Sequence, residues 1–331
     1  MAVIDISPYS GDHCESTALL NMLRNHDIEL SEPLIFGLGQ GLSFLYWHSK
    51  QMPTPFLAGR VKPDQLIRNV VDALGLELRA RETSSPAKAE ATLIEALDEG
   101  DVVGLKLDRH HLDYAQENHH FAAHYVACIG YEDDRFVVVE TRSLGVQSTS
   151  RESLRRARSA GGPMSSRNLS VRVDPRGYDE STLAKACQSS ILATAQEFLS
   201  PPITNMGFKG IAKAGSLMRG WHGRLDRPVE AMSTVGTSME EGGTGGGLFR
   251  TLWAQFLEEA HELTGIETYD ELAVEYRRIS ERWTEVANLL RDADDADDAG
   301  ARRSLDEAAS IVDSLAAGER AAMVRLEEAS R

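Results

Sequence analysis

The sequence predicts an α+β domain over residues 1–175 followed by an all-helical domain over residues 176–331. Three observations carry this prediction. Helix-like and strand-like segments alternate in the first half, and the strand signal nearly vanishes after the turn sequence Asp174-Pro175-Arg176-Gly177. A length of 331 residues also suits two domains better than one.

The helices of the first half are predicted from apolar residues spaced three and four positions apart. In the first helix, Ala18, Leu19, Met22 and Leu23 recur at this spacing. The second has a proline in its first turn, where no backbone hydrogen bond is lost. The predicted helices cover residues 14–25, 63–74 and 86–97.

Short apolar runs predict the strands of the first half. The second and third runs are joined by the polar turn Glu132-Asp133-Asp134, which indicates a hairpin. The predicted strands cover residues 102–107, 125–131, 135–140 and 169–173.

The second half is rich in Ala, Leu, Glu and Arg at helical spacing. Two Gly-rich stretches, 207–223 and 242–247, are interpreted as breaks, and the second as a flexible linker rather than a phosphate-binding loop near Arg250. The predicted helices cover residues 181–199, 248–263, 269–290 and 304–328.

Composition excludes several classes of protein. The chain has 35 Lys and Arg against 51 Asp and Glu, a net charge of −16, which argues against binding to nucleic acid or to an anionic membrane. The start of the chain lacks the basic and apolar regions of a secretory signal, and three widely spaced cysteines do not form a disulfide framework. We therefore expect a cytoplasmic protein.

Cys14 is the first candidate for catalysis. It stands in the first turn of a predicted helix, where the positive end of the helix dipole favours the reactive thiolate. The backbone N–H groups of that turn are also suited to hold the oxyanion of a tetrahedral intermediate. The alternative is that Cys14 is a small buried hydrophobic residue.

His124 and Glu140 complete a candidate catalytic triad. His124 begins the first strand of the predicted hairpin and Glu140 ends the second, so antiparallel pairing makes them neighbours. The carboxylate would orient the imidazole and stabilise its protonated form. A cysteine on an N-terminal helix followed by a histidine and an acid on successive strands is the chain order of papain-like cysteine enzymes. The alternative is a strand-capping histidine and a solvent-facing glutamate.

Further segments along the chain form a recognisable pattern. Those of the first half are HCESTALLN at 13–21, LSEP at 30–33, FGLGQGLSF at 36–44, the stretch 108–114, the His-led hairpin after 120–124, and SLRRAR at 153–158. Those of the second half are GTGGGLFR at 243–250, FLEEA at 256–260 and Trp283. Together these segments resemble the family of butirosin biosynthesis protein H. One position departs from the family pattern, because Glu140 stands where we would expect Asp.

The resemblance implies a papain-fold acyltransferase, akin to C39 peptidases, that acts in natural-product assembly. Cys14 would attack an acyl thioester on the phosphopantetheine arm of an acyl-carrier protein, and His124 would deprotonate a small-molecule amine that takes the acyl group as an amide. No cofactor beyond that arm is required. We expect the helical domain to cover the active site. Further candidates for oxyanion or substrate contacts are His13, Asn21, Gln40, Asp108, Tyr114, His120 and Arg250.

The histidines at 110, 111, 119, 120 and 124 also suggest a metal site. His120 and His124 are four apart, but the HExxH pattern is missing and no Cys or Asp ligands accompany them at tight spacing. We therefore expect no metal, and we expect His119 and His120 to line or cover the cleft.

Other functions remain open. The same triad would serve a cysteine peptidase or amidase, or a condensing or heterocycle-forming enzyme, and a catalytically dead module that binds a carrier protein is a fourth possibility. Because carrier proteins are themselves acidic, docking requires a local basic patch, and the densest is the group of Arg151, Arg155, Arg156, Arg158 and Arg167. The long C-terminal helices suggest a homodimer.

Overall fold

The computed structural model describes residues 2–115, 120–162, 164–295 and 297–331, which form two compact units. The first unit comprises the chain up to Ile35 and residues 63–180, and the second comprises residues 36–62 and 181–331. The sequence-based domain 1–175 includes the segment 36–62, which the structure instead groups with the helices of the second half.

Strands occur in both units. They are β1 (Ala2–Val3), β2 (Leu42–Trp47), β3 (Phe56–Arg60), β4 (Glu77–Arg81), β5 (Val103–Leu107), β6 (His124–Glu132), β7 (Arg135–Val139), β8 (Val146–Ser150) and β9 (Ser170–Asp174).

Helices make up most of the second unit and flank the sheet of the first. They are α1 (Cys14–Arg24), α2 (Glu32–Leu38), α3 (Gln65–Ala73), α4 (Pro86–Asp98), α5 (Arg151–Ser159), α6 (Leu183–Leu199), α7 (Gly207–Met218), α8 (Trp221–Arg224), α9 (Pro228–Glu241), α10 (Arg250–Thr264), α11 (Glu267–Arg291) and α12 (Asp298–Ala329).

The first unit is built on an antiparallel sheet with the strand order β4-β9-β5-β6-β7-β8, and β1 pairs with β6. β5 is buried along its whole length, and β6 is buried up to Gly130, as expected for central strands. The helix α1 packs on β5 and β6. Gly104 on β5 permits this approach, because a β-carbon there would crowd the side chains of Met22 and Val171.

The second unit contains the two-stranded sheet β2-β3 and the helices α6 to α12. The prediction of a break over 207–223 is wrong, because α7 occupies Gly207–Met218. A β-carbon at Gly210 would overlap the backbone oxygen of Asn205, and one at Gly215 would overlap Oδ1 of Asp313 and crowd the backbone oxygen of Ala309. Glycine therefore serves close packing here rather than interrupting the helix.

The interpretation of 242–247 as a flexible linker is also wrong. The loop lies between α9 and α10 inside one unit, and Thr244 is buried, with its hydroxyl donating to the backbone oxygen of Met239 at 2.9 Å. The N–H groups of Gly246 and Gly247 donate to Thr244 Oγ1 and Glu240 Oε1, each at 3.1 Å. These N–H groups are therefore engaged within the protein and do not form an open phosphate cradle.

The α+β fold class, with a sheet region first and a helical part second, is confirmed. The predicted helices and strands of the first half all occur, with ends shifted by a few residues. No helix in the described residues has the length and apolar character needed to cross a membrane.

Candidate active site

The structure brings Cys14, His124 and Glu140 together in the first unit. His124 Nε2 lies 2.9 Å from Glu140 Oε2 and 3.1 Å from Glu140 Oε1. His124 also shares a side-chain hydrogen bond with Cys14. The exposed fractions of the three residues are 8%, 5% and 0% in chain order, so the group is screened from bulk water.

Backbone pairing explains how distant parts of the chain meet here. Cys14 is the first residue of α1, and His124 is the first residue of β6. Glu140 directly follows β7, the strand that pairs antiparallel with β6. Beyond it, the N–H of Arg142 donates to the backbone oxygen of Gly11 at 2.7 Å. This bond holds the segment that carries the acid against the loop that precedes the cysteine.

The electrostatics of the group favour a protonated imidazole. Burial alone would lower the pKa of His124, but the charges of Glu140 and Cys14 and hydrogen bonds to both raise it to about 10. Burial would raise the pKa of Glu140, yet the charge and hydrogen bond of His124 outweigh burial and lower it. At neutral pH the arrangement therefore suits a thiolate–imidazolium pair backed by a carboxylate.

Tyr114 and Arg109 also act on Glu140. The Tyr114 hydroxyl donates to Glu140 Oε1 at 3.0 Å, and this side chain is partly buried. Burial and the Glu140 charge raise the pKa of Tyr114, so the phenol keeps the proton that it donates. The positive charge of Arg109 contributes to the lowered pKa of Glu140. Both residues help to keep Glu140 an oriented anion.

Glu32 holds the loop before Cys14 in place through hydrogen bonds. Its carboxylate accepts hydrogen bonds from the backbone N–H groups of Asp12 and His13 at 2.8 and 2.9 Å, and from the Ser16 hydroxyl at 2.7 Å. A β-carbon at Gly11 would overlap this carboxylate, so glycine is needed for the close approach. Burial raises the pKa of Glu32, although these three hydrogen bonds oppose the shift.

A second polar network ties α3 to the elements of the site. Glu15 Oε1 accepts from the N–H of Ile67 at 3.2 Å, which satisfies a free donor in the first turn of α3. Asp64, at the start of that helix, accepts from the Tyr125 hydroxyl at 2.6 Å and from the Lys106 ammonium at 2.8 Å. Glu15 and Tyr125 are the chain neighbours of the nucleophile and of the histidine, so this network fixes both positions.

Asn21 and His13 have structural roles in α1. The Asn21 amide donates to the backbone oxygens of Tyr9 and Thr17, each at 2.8 Å, and accepts from the N–H of Tyr9 at 3.0 Å. Both amide hydrogens are thus used, which leaves no donor for an oxyanion. His13 is the N-cap of α1, and its Nδ1 accepts from the N–H of Ser16 at 3.4 Å.

Gln40 and Arg250 lie in the second unit. Gln40 adopts a left-handed backbone with φ 51° in a turn where its N–H donates to Gly37 O at 2.9 Å. Arg250 is 0% exposed and pairs at 2.9 Å with Glu319, which is equally buried. Trp283 donates to the same carboxylate at 2.7 Å. Arg250 therefore belongs to a buried ion pair of the helical unit, and its guanidinium is not exposed for the substrate contact expected from the sequence.

Asp108 and His120 form a second cluster with His111. Asp108 Oδ2 lies 2.8 Å from His120 Nδ1, and Oδ1 accepts from the N–H groups of His110 and Phe121 at 3.2 and 3.1 Å. One ligand atom each from Asp108, His111 and His120 lie within 4.8 Å of one another. These residues could hold a metal ion, whereas the spacing of the histidines in the sequence led us to expect none. His119 lies outside the described residues.

The arginine-rich group 151–167 does not form an open basic patch. Arg158 is buried and donates to the backbone oxygens of Ala89 and Asn168, each at 3.3 Å. Arg151 pairs with Glu90 at 2.6 Å, Arg155 pairs with Glu152 at 2.7 Å, and Arg156 and Arg167 also lie within 4.0 Å of carboxylates. Their positive charge is therefore largely neutralised within the protein.

Two family models together match most of the chain. The model of the N-terminal domain of butirosin biosynthesis protein H matches residues 13–141, a range that begins at His13 and contains Cys14, His124 and Glu140. A domain of unknown function, DUF4872, matches residues 152–326. No curated protein matches the chain. The chain therefore combines an N-terminal domain of the butirosin biosynthesis protein H family with a DUF4872 domain.

Proposed function

We propose that this protein is a cysteine-dependent acyltransferase that forms an amide from an acyl thioester and an amine during natural-product biosynthesis. The observation that carries the proposal is the contact of His124 with both Cys14 and Glu140. A buried thiol beside a protonated imidazole is the arrangement that activates a cysteine nucleophile. The family name, butirosin biosynthesis protein H, supports a role in assembling a natural product.

The proposed fold of the catalytic unit is papain-like. Its support is the order of a cysteine at the start of a helix, then a histidine that begins one strand and an acid that directly follows the neighbouring antiparallel strand. The helix start also contributes, because the partial positive charge there stabilises both a thiolate and the oxyanion that forms when it attacks a carbonyl.

The first half-reaction transfers the acyl group to the protein. The Cys14 thiolate attacks the thioester carbonyl, and the tetrahedral intermediate collapses by breaking the carbon–sulfur bond of the donor. The departing thiolate takes the proton from the His124 imidazolium, so a free thiol and an acyl-enzyme result. Glu140 stabilises the imidazolium before this transfer and orients the neutral ring after it.

The second half-reaction delivers the acyl group to the amine. Neutral His124 accepts a proton from the attacking amine, the new carbon–nitrogen bond forms, and the bond to Cys14 Sγ breaks. The thiolate and the imidazolium are then restored, and the amide leaves. An amide is more stable than a thioester, so the transfer runs downhill and needs no nucleotide.

The proposed donor is an acyl group on the phosphopantetheine arm of an acyl-carrier protein, and the proposed acceptor is a small amine. Screening of the triad from water supports transfer over hydrolysis, because the acyl-enzyme must meet an amine before it meets water. The paired arginines of 151–167 do not supply the positive surface that an acidic carrier protein would need.

Intact-protein mass spectrometry tests the proposal. An acyl N-acetylcysteamine thioester, which mimics the end of the phosphopantetheine arm, is expected to leave one acyl adduct on the wild-type chain and none on Cys14→Ala. Hydroxylamine or a primary amine should then discharge the adduct as the hydroxamate or amide. Cys187→Ala is the matched control, because that buried cysteine of the second unit is not part of the triad.

Two outcomes would contradict the proposal. An adduct on Cys14 that yields only the free acid with amines present would indicate a hydrolase. No adduct on the wild-type chain under conditions where Cys14 is alkylated would reject acyl transfer through this residue.

A further inference from the structure

We propose that Asp108, His111 and His120 bind one divalent transition-metal ion, at a site separate from the residues of the triad. The side chains offer one carboxylate and two imidazoles, and their ligand atoms all lie within 4.8 Å of one another. Imidazole and carboxylate together suit ions such as Zn²⁺. The proposal does not rest on the acyltransferase function.

Asp108 is held as a preorganised ligand. It is 2% exposed, and Oδ1 accepts from two backbone N–H groups, those of His110 and Phe121. These bonds direct Oδ2 toward His120 Nδ1 at 2.8 Å. Backbone hydrogen bonds that fix the second oxygen of a carboxylate are typical of the outer shell of a metal site.

His111 lies in a short turn that hydrogen bonds hold in place. The turn Arg109–His111 begins at Asp108, whose backbone oxygen accepts from the N–H of His111 at 3.2 Å. The hydroxyl of Ser153, on α5, donates to the backbone oxygen of His111 at 2.7 Å. A simple ion pair between Asp108 and His120 would account for the positions of these two side chains. It would not account for the position of His111, which has a ligand atom close to both.

Binding of an ion would require a small adjustment of the side chains. Ligand atoms around a four-coordinate Zn²⁺ are about 3.4 Å apart, so an ion bound between Asp108 Oδ2 and His120 Nδ1 would replace their 2.8 Å hydrogen bond, and a small rotation of the imidazole would move these two atoms apart. The His120 side chain is 63% exposed and can make that rotation. Its exposure also gives an ion a path from solvent and leaves a coordination position for water. The ring centroids of His110 and His120 are 4.1 Å apart, so the His110 ring covers one side of the proposed site.

Binding would have a structural consequence for the catalytic unit. An ion at this site would link the turn after β5 to His120. His120 lies four positions before His124, the first residue of β6. Because an ion that binds only the folded state stabilises it, the melting temperature should rise as the ion is added.

The test is equilibrium dialysis of the tag-free full chain against Zn²⁺, with bound metal measured by mass spectrometry of the element. A Cys14→Ser background removes the thiolate of the triad, which would otherwise bind Zn²⁺ itself. We expect one Zn²⁺ per chain, with affinity reduced at least about tenfold by His111→Ala and by His120→Ala. His48→Ala, which removes an exposed histidine of the second unit, should leave binding unchanged.

A second readout is the visible absorption of Co²⁺ in the same proteins, which reports nitrogen and oxygen ligands in a site of low coordination number. The spectrum should appear in the Cys14→Ser background and be lost in His111→Ala. Absence of bound Zn²⁺ in that background, or equal binding in His111→Ala, His120→Ala and His48→Ala, would overturn the proposal.

Discussion

His124 meets Glu140 through Nε2, which lies 2.9 Å from Oε2 of the carboxylate. Nδ1 is therefore the ring atom that we expect to face Cys14. The pKa of His124 rises to about 10 because burial, which opposes protonation, is outweighed by the charges and hydrogen bonds of Glu140 and Cys14. One buried carboxylate thus sets both the direction and the protonation state of the imidazole.

Glu140→Gln tests this role directly. The amide can still orient the ring, but it removes the charge that raises the pKa of His124, so the imidazolium should be lost at lower pH than in the wild type. We expect the rate of acyl-enzyme formation at neutral pH to fall about tenfold to a hundredfold, less than for His124→Ala. Stopped-flow measurement of thiol release from the thioester gives this rate.

Tyr114→Phe provides a milder change at Glu140, against which the acylation rate of Glu140→Gln can be compared. It removes one donor to Glu140 and keeps the charge, so acylation should slow by less than in Glu140→Gln. An unchanged rate in Glu140→Gln would mean that another group fulfils the role of the acid.

Glu32→Gln tests the support of the loop before Cys14. The substitution keeps the size of the side chain but leaves one acceptor oxygen for three donors, the N–H groups of Asp12 and His13 and the Ser16 hydroxyl. We expect the free energy of unfolding to fall by about 1–3 kcal/mol, together with slower acylation of Cys14. Urea unfolding and the stopped-flow rate check the two effects.

Glu29→Gln is the matched control, because this exposed glutamate lies three positions earlier in the chain. It should change neither quantity. If Glu32→Gln lowered stability without slowing acylation, Glu32 would have no part in positioning the nucleophile.

Arg250→Met tests the buried pair in the helical unit. Removing the guanidinium leaves the Glu319 carboxylate buried without its cation, which should lower the free energy of unfolding by about 3–5 kcal/mol. Arg325→Met removes the exposed ion pairs of α12 with Glu271 and Glu275 of α11 and should cost no more than about 1 kcal/mol. Urea unfolding followed by tryptophan fluorescence measures both. Unchanged stability with a raised KM in Arg250→Met would instead indicate contact with substrate.

The helices and strands with a regular pattern of buried apolar residues could be predicted from the sequence. Those that depend on contacts with other parts of the chain could not. β4 is largely exposed and shows no clear alternation, so only its pairing with β9 makes it a strand. α7 contains several glycines, which weaken its helical pattern in the sequence but are needed for its close contacts with Asn205 and Asp313. Apolar periodicity cannot reveal either kind of element, since neither owes its existence to a local pattern.

Some contacts of the candidate site could likewise be predicted from the sequence, and others could not. The nearness of His124 and Glu140 could be inferred because a hairpin has a simple register. The contact of Glu32 with the loop at Gly11 could not, because nothing local indicates which buried acid a loop will meet. The grouping of His111 with Asp108 and His120 could not be predicted from spacing along one element, because residues 108 and 111 belong to a turn and residue 120 lies outside it.

The pH dependence of Cys14 alkylation by iodoacetamide tests the central claim most directly, and peptide mapping would separate Cys14 from the other two cysteines. A thiolate paired with the His124 imidazolium, whose pKa is raised to about 10, should react at a nearly constant rate from about pH 6 to pH 9. In Glu140→Gln, where access to Cys14 is the same, the rate at the acidic end should fall. A rate in the wild type that instead rises through this range like that of an ordinary thiol, with no effect of Glu140→Gln, would contradict the assignment of Cys14, His124 and Glu140 as a catalytic triad.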